Sequence, residues 1–207
     1  MARRRVEKLG RPAFQVAQWC QGEARGFPLI FASRHGDPGR GADLLTSLAK
    51  HEPLSPTSFA LSVHNAIGAQ YSIIRADTAN VSAVSTGFFT LESAVVEAVA
   101  HLRDGHDEVM VVFYDAGPPL IFAEHYDEPG SDFAFAWRIT PSTPLGVNGA
   151  GPLGVNGVVL SLETAEVPPT RSEVLPHGLS VFRFFLGNEA TYSWGDSTAG
   201  WKWSRRA

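Results

Sequence analysis

The sequence predicts an α/β domain with a mixed sheet and one helix buried against it. Three consecutive stretches carry that prediction. Residues 80–87 (NVSAVSTG) form a short β-branched run that ends in glycine. Residues 88–106 place Leu91, Ala94, Val95, Ala98 and Leu102 at helical spacing, with Glu92, Glu97 and Arg103 on the other faces. Residues 107–117 supply a strand, Val109 to Tyr114, apolar on both faces, as in a covered parallel sheet. Strand, elbow, helix, strand is a βαβ unit with an expected right-handed crossover. Val81, Val84 and the small residues between them suit a buried strand that other backbone approaches closely. Gly87 permits the bend, and Gly105 ends the helix.

The remaining elements follow in chain order. Residues 1–11 carry five Lys/Arg against one Glu, which reads as a solvated helix start, and Phe14, Val16, Ala17 and Cys20 extend that helix to about residue 22. Phe27 to Ala32 is the first strand, and SRHGDPGRG after it is a glycine-rich turn. That turn lacks the Gly-Lys-Ser/Thr of a phosphate loop and any GxGxxG. Ala42 to His51 reads as a helix, EPLSP as a break, and Thr57 to Arg75 as one or two helices. Strands are expected at Pro119–Glu124, Phe133–Ile139 and Val158–Leu162. The hexapeptide PLGVNG occurs at 144–149 and again at 152–157, as a hairpin or mobile loop, too few copies for a solenoid. A linker, VPPTRSEVLP, precedes Leu179 to Phe185, and Trp201 and Trp203 lie exposed in an extended tail. The whole chain is one domain, with a core at 27–140 and loop, strands and tail at 141–207.

Composition narrows the function. With 44% hydrophobic residues, 18% charged and a net charge of −4, the chain can build a core and has no overall basic character for nucleic acid. One cysteine, Cys20, excludes an internal disulfide and a cysteine-rich zinc site, and points to a reducing, cytoplasmic setting. Its thiol is expected to be a small buried packing group. No apolar run approaches the roughly 20 residues that span a bilayer.

The elbow is where such folds often mount a nucleophile, because a helix N-terminus stabilises a developing anion. Here it carries Phe88 and Phe89. Ser82, Ser85 and Thr86 are alternative nucleophiles with His64 as base, but GxSxG is absent, and hydroxyls in such strands usually bond to backbone. His64 and Asn65 sit in an apolar, helix-like segment, where a hydrogen-bonded structural histidine at a subunit contact is expected. His101 and His106 are expected to cap the central helix. His125, Glu124, Asp127 and Glu128 have a metal site's composition without its spacing, and read as a solvated acidic loop.

The segment PTSFALSVHNAIGAQYSIIRADTANVSAVSTGFFTLESAVVEA, with DGHDEVMVVFYD after it, resembles the N-terminal half of β-ketoacyl synthases, the thiolase-fold condensing enzymes. FASRHGDPGR, LSPTSFALSVHNAIGA and the Trp-containing tail are similar to the chain-length factors of bacterial aryl-polyene gene clusters. The resemblance covers residues 27–128 well and the rest loosely. It implies a reduced thiolase-like layered fold, half a ketosynthase. The basic opening also resembles an internal segment of longer relatives. The family's cysteine falls at or beside Phe88, which cannot hold an acyl thioester, and Cys20 precedes the first strand. Of the histidines that decarboxylate the extender, the region beyond residue 125 offers only His177. The resemblance therefore implies a non-catalytic subunit, without cofactor or metal, that pairs with an active β-ketoacyl synthase and meets acyl carrier protein indirectly. It places partner contact or acyl tunnel at Val81, Ser82, Ser85, Thr86, Phe88, Phe89, His64 and Asn65, with pairing through Asn80 to Val84. Two alternatives stay open: a free-standing acyl-transfer or hydrolytic enzyme using a Ser or Thr near the elbow, and a homodimeric module binding acyl chains or acyl carrier protein.

Overall fold

The structure, a computed structural model, describes residues 9–141, 153–155, 158–164, 174–195 and 200–206. Its spine is a mixed sheet of eight strands: β1 (Leu29–Ala32), β2 (Val81–Val84), β3 (Val109–Asp115), β4 (Phe133–Pro141), β5 (Leu153–Val155), β6 (Val158–Thr164), β7 (Thr191–Gly195) and β8 (Gly200–Arg206). They lie in the order β2-β1-β3-β4-β5-β6-β8-β7. β1 pairs in parallel with β2 and β3, and every later pairing is antiparallel. The helices are α1 (Gly10–Gln21), α2 (Pro38–Ala49), α3 (Pro56–Ala60), α4 (Ala66–Arg75), α5 (Thr90–Arg103) and α6 (His177–Leu186).

The period-2 alternation of the parallel strands makes three layers. Leu29, Phe31, Met110, Val112 and Tyr114 pack with Ala13 and Ala17 of α1 and Tyr71 of α4. Ile30, Ala32, Val109, Val111 and Phe113 pack with α5 and α6 on the other face, through Leu91, Val95, Val181 and Phe184. All seven residues of β3 are buried, as its two-sided hydrophobicity predicts. Strand β2 differs from expectation. It is half-buried at the end of the sheet and pairs only with β1 among the described residues. The close backbone approach does occur, from Gly68 of α4, where a Cβ would lie 2.9 Å from Val81 Cγ1.

Several boundaries move for local reasons. Helix α2 starts inside the glycine-rich turn, because Asp37 accepts from the Arg40 N–H and Pro38 presets the first turn. Residues 57–75 divide into α3 and α4, and His64 and Asn65 fall in the link between them rather than in a helix. Leu120–His125 is a 3-10 helix, not a strand: β4 already occupies the β3 edge that this segment would need. Of the repeated hexapeptide, the first copy lies outside the described residues. The second enters a hairpin, with Val155 opposite Val158. Trp203 is buried at 1% exposure instead of lying open in the tail, because β8 is an interior strand between β6 and β7. His101 and His106 pack edge-on, ring centroids 5.6 Å apart, while the Asp104 N–H donates to the Ala100 carbonyl at the helix end. Cys20 is half-buried, and burial pushes its thiol pKa up, which keeps it protonated and inert. Among the described residues no helix is long and apolar enough to cross a membrane.

Packing and burial make two features of this frame testable. Gly178 of α6 lies so close to β3 that a Cβ there would sit 2.3 Å from Phe113 Cε1. Gly178→Ala is expected to cost about 1–3 kcal/mol of stability, read as a lower urea midpoint, since the ring is held by its own neighbours. At the other end of the sheet Tyr71 Oη donates to Gln21 Oε1 at 2.7 Å, and Gln21 Nε2 donates to Asp77 Oδ2 at 2.9 Å. Burial, only partly opposed by Arg75, pushes the Tyr71 phenol from about 10 up to about 12. The unfolded chain therefore ionises first, so stability is full below the ordinary phenol range and falls as pH rises towards 12. Denaturation at stepped alkaline pH should show that fall, and Tyr71→Phe should lessen it, the Tyr114 and Tyr192 phenols, also pushed up by burial, carrying the rest.

Candidate functional site

Three loops meet at the carboxyl ends of β1, β2 and β3, and a buried carboxylate holds the first of them. Asp115, the last residue of β3, is 6% exposed. Its Oδ1 accepts from Ser33 Oγ at 2.8 Å and from the His35 N–H at 3.2 Å, and its Oδ2 accepts from the Arg34 N–H at 3.0 Å. Ser33 Oγ in turn accepts from the Gly36 N–H at 2.8 Å. Burial pushes the Asp115 carboxyl up, and the bonds from Arg34, Ser33 and His35 pull against it. The segment Ser33–Gly36 is thereby shaped by a single side chain from the neighbouring strand.

The second loop is the elbow. Gly87 takes a φ of +68°, a conformation that disfavours any side chain with a Cβ. Gly87–Phe89 then forms a 3-10 turn that runs straight into α5. Thr90 Oγ1 donates to the Gly87 carbonyl at 2.8 Å and accepts from the Thr86 N–H at 3.0 Å, stitching strand exit to helix start. Phe88 and Phe89 are both half-buried, at the surface side of the turn.

The hydroxyls of Ser85 and Thr86 near the elbow have partners, and a histidine is not one of them. Ser85 Oγ donates to the Arg34 carbonyl at 3.0 Å, and Thr86 Oγ1 pairs with Ser93 Oγ at 2.8 Å. His64 Nε2 lies 2.8 Å from the Ser33 carbonyl. Ser85 and His64 thus hold two consecutive carbonyls of the first loop instead of each other. Asn65 is exposed at the start of α4 and makes no capping bond there. Val81 and Ser82 are half-buried in β2.

Arg34 is what joins the loops. Its guanidinium carbon lies 4.0 Å from the centroid of the Phe88 ring. Nη2 donates to Asp127 Oδ2 at 2.5 Å, and Nη1 is 3.0 Å from Glu128 Oε1, with the Arg34 side chain 10% exposed. Burial works against the charge, but the bonds to Asp127 and Glu128 outweigh it and hold the guanidinium above its usual pKa. Of the acidic loop, Glu124 and His125 stay exposed as expected, while Asp127 and Glu128 turn to Arg34. Glu128 Oε2 also accepts from the His177 N–H at 2.9 Å, at the first turn of α6. His177 Nε2 lies 2.7 Å from Glu92 Oε1, which accepts from Trp203 Nε1 at 3.0 Å as well. The His177 ring is stacked on Trp194 with centroids 4.6 Å apart.

Glu92 is fully buried, although it follows Leu91 on what helical spacing makes a polar flank of α5. Its only trace in the sequence is that position at the border of the apolar stripe, with no hint of the α6 and β8 side chains that cover it. Arg34 left no trace beyond lying in a conspicuous loop and being opposite in charge to Asp127 and Glu128.

Comparison with known proteins matches this geometry to one family. The model of the β-ketoacyl synthase N-terminal domain matches residues 1–204. A search of curated protein sequences finds no match. A chain in the structure of the ketosynthase ApeO in complex with its chain length factor ApeC, from Xenorhabdus doucetiae, superposes with a TM-score of 0.80 at 25% identity. The match covers 99% of this chain and 79% of that one. The layered sheet, the elbow and the helix behind it are accordingly those of a thiolase-like ketosynthase half. This chain belongs to the β-ketoacyl synthase N-terminal domain family.

Proposed function

We propose that this chain is a chain-length-factor-like subunit: it pairs with an active β-ketoacyl synthase in polyene, polyketide or fatty-acyl elongation in the cytoplasm and performs no condensation itself. The observation that carries the reading is Phe88. It stands directly after the positive-φ glycine, at the head of the turn into α5, where the family resemblance places the acyl-accepting cysteine. A phenyl ring offers no nucleophile, but it can line or stop an apolar tunnel. Ser85, Thr86 and His64 are each bonded elsewhere, which weighs against a hydrolytic pair. The hollow of about 660 Å³ beside α2 sets Asp37, Arg40, Asp43 and Asp132 among Leu9, Pro12, Pro38 and Pro119, so it is not the wholly apolar pocket that a stored acyl chain favours. That weighs against a self-contained lipid-binding module. The relative in the ApeO–ApeC complex supports a paired ketosynthase setting.

Strand β2 supplies the geometry for pairing. The Leu29 N–H bonds the Asn80 carbonyl and the Ser33 N–H bonds the Val84 carbonyl, so residues 80, 82 and 84 face β1. The N–H and carbonyl groups of Val81 and Ala83 then point away from the sheet, available to a strand of a partner.

The test is co-expression with a candidate ketosynthase, size-exclusion chromatography, and a malonyl condensation assay on each subunit and on the pair. A one-to-one complex is expected, with chain extension by the pair alone and product length altered by Phe88→Ala. Ala83→Pro, which deletes an outward N–H without touching the β1 ladder, should abolish pairing while the isolated chain stays folded by circular dichroism. Turnover of acyl thioesters by this chain alone would overturn the proposal.

A further inference from the structure

We infer that Arg34 is the positioning residue that fixes the Phe88 ring, and with it the product length set by the pair, by clamping the ring between the elbow and the Asp127–Glu128 loop. The inference rests on the proposed function, which supplies the tunnel that Phe88 would bound.

Arg34 is held through both its backbone and its side chain. Its N–H is bound by the buried Asp115 carboxylate and its carbonyl by Ser85, the residue three positions before Phe88. Its side chain has the ring on one side and two carboxylates beyond. A half-exposed phenyl at a surface turn would otherwise sample several rotamers. A guanidinium stacked over it, itself held by the Asp127 hydrogen bond and the nearby Glu128 carboxylate, removes that freedom, because moving the ring also gives up the cation–π contact. Planarity matters: the fork meets Asp127 and Glu128 edge-on while its face stays free for the ring, a division of labour that a lysine ammonium cannot reproduce.

The clamp is also tied to the body of the domain. Glu128 uses its second oxygen on the His177 N–H, and His177 leans on Glu92 in the first turn of α5. That is the helix the elbow enters, so the path from Phe88 through Arg34, Glu128 and His177 returns to within a turn of Phe88. The ring therefore sits in a closed loop of contacts and not at the end of a dangling one.

The experiment uses the co-expressed pair and reads the distribution of product chain lengths for Arg34→Gln, Arg34→Lys, Phe88→Leu, Phe88→Ala and the double variant Arg34→Gln/Phe88→Leu. Arg34→Gln should change the ratio of the two most abundant lengths by about twofold or more, in the direction of Phe88→Leu. It should add nothing in the Phe88→Leu background, where no aromatic face remains to hold, and Arg34→Lys should recover part of the effect. Asp127→Asn, which loosens the guanidinium but keeps it, covers the case in which Arg34→Gln does not fold, and should shift the distribution the same way. A Phe88→Ala pair with altered lengths beside an Arg34→Gln or Asp127→Asn pair with unaltered lengths would overturn the clamp and leave the subunit reading standing. Equal shifts from Arg34→Gln in both backgrounds would make Arg34 a scaffold residue and also overturn it. An assembled, active pair whose product length ignores Phe88→Ala would remove the tunnel reading itself, and the clamp with it.

Discussion

A carboxylate with no solvent access, Glu92, decides how the last third of the chain attaches to the helix behind the elbow. It sits in the first turn of α5, and the N–H groups that reach it come from β8 through Trp203 and from α6 through His177. Taking a carboxylate out of water costs several kcal/mol, so it persists only where donors replace the lost hydration. Both donors are supplied by elements more than 80 residues away in sequence. The requirement works in both directions. Glu92 would be intolerable without α6 and β8, and the buried Trp203 and His177 would lose a partner without Glu92. Through its Oε1, which takes both contacts, this one buried group ties the helix behind the elbow to the antiparallel half of the sheet.

Charge is used very differently elsewhere. Lys202 and Glu163 lie 2.9 Å apart across β6 and β8, but their side chains are 39% and 57% exposed, and such a pair contributes about 0–1 kcal/mol at most. Arg34 meets Asp127 and Glu128 largely shielded from water. Removing one partner of a shielded pair costs about 3–5 kcal/mol, mainly because the survivor is stranded. The Arg34 cluster is thus a constraint on geometry more than a source of stability, and it constrains the elbow. Asp115 has a similar role deeper in the fold, gathering Ser33, Arg34 and His35 onto the end of β3.

The elbow itself combines a fixed backbone bend with two aromatic side chains. A positive-φ glycine, a 3-10 turn and the Thr90 bonds keep the backbone bend that a helix-mounted nucleophile needs, while Phe88 and Phe89 occupy it. Among the described residues β2 is the end strand of the sheet, and it leads directly into that bend.

The sequence by itself determined the elements whose cause is local. The βαβ unit, the all-apolar β3, the bend at Gly87 and the core face of α5 are each written in residue spacing, because period 2 and period 3.6 are properties of short stretches. The phenylalanines at the elbow and the family resemblance were legible for the same reason. Only the tertiary structure decided which polar groups face inward. Glu92, Trp203, Asp127 and Glu128 all read as surface residues, since their partners Arg34 and His177 come from distant segments and no periodicity records them. The edge position of β2 and the 3-10 helix at Leu120–His125 were settled by which neighbouring edges the rest of the sheet had already taken. Backbone preference acts over a few residues, but burial of charge depends on what the whole fold brings to the spot.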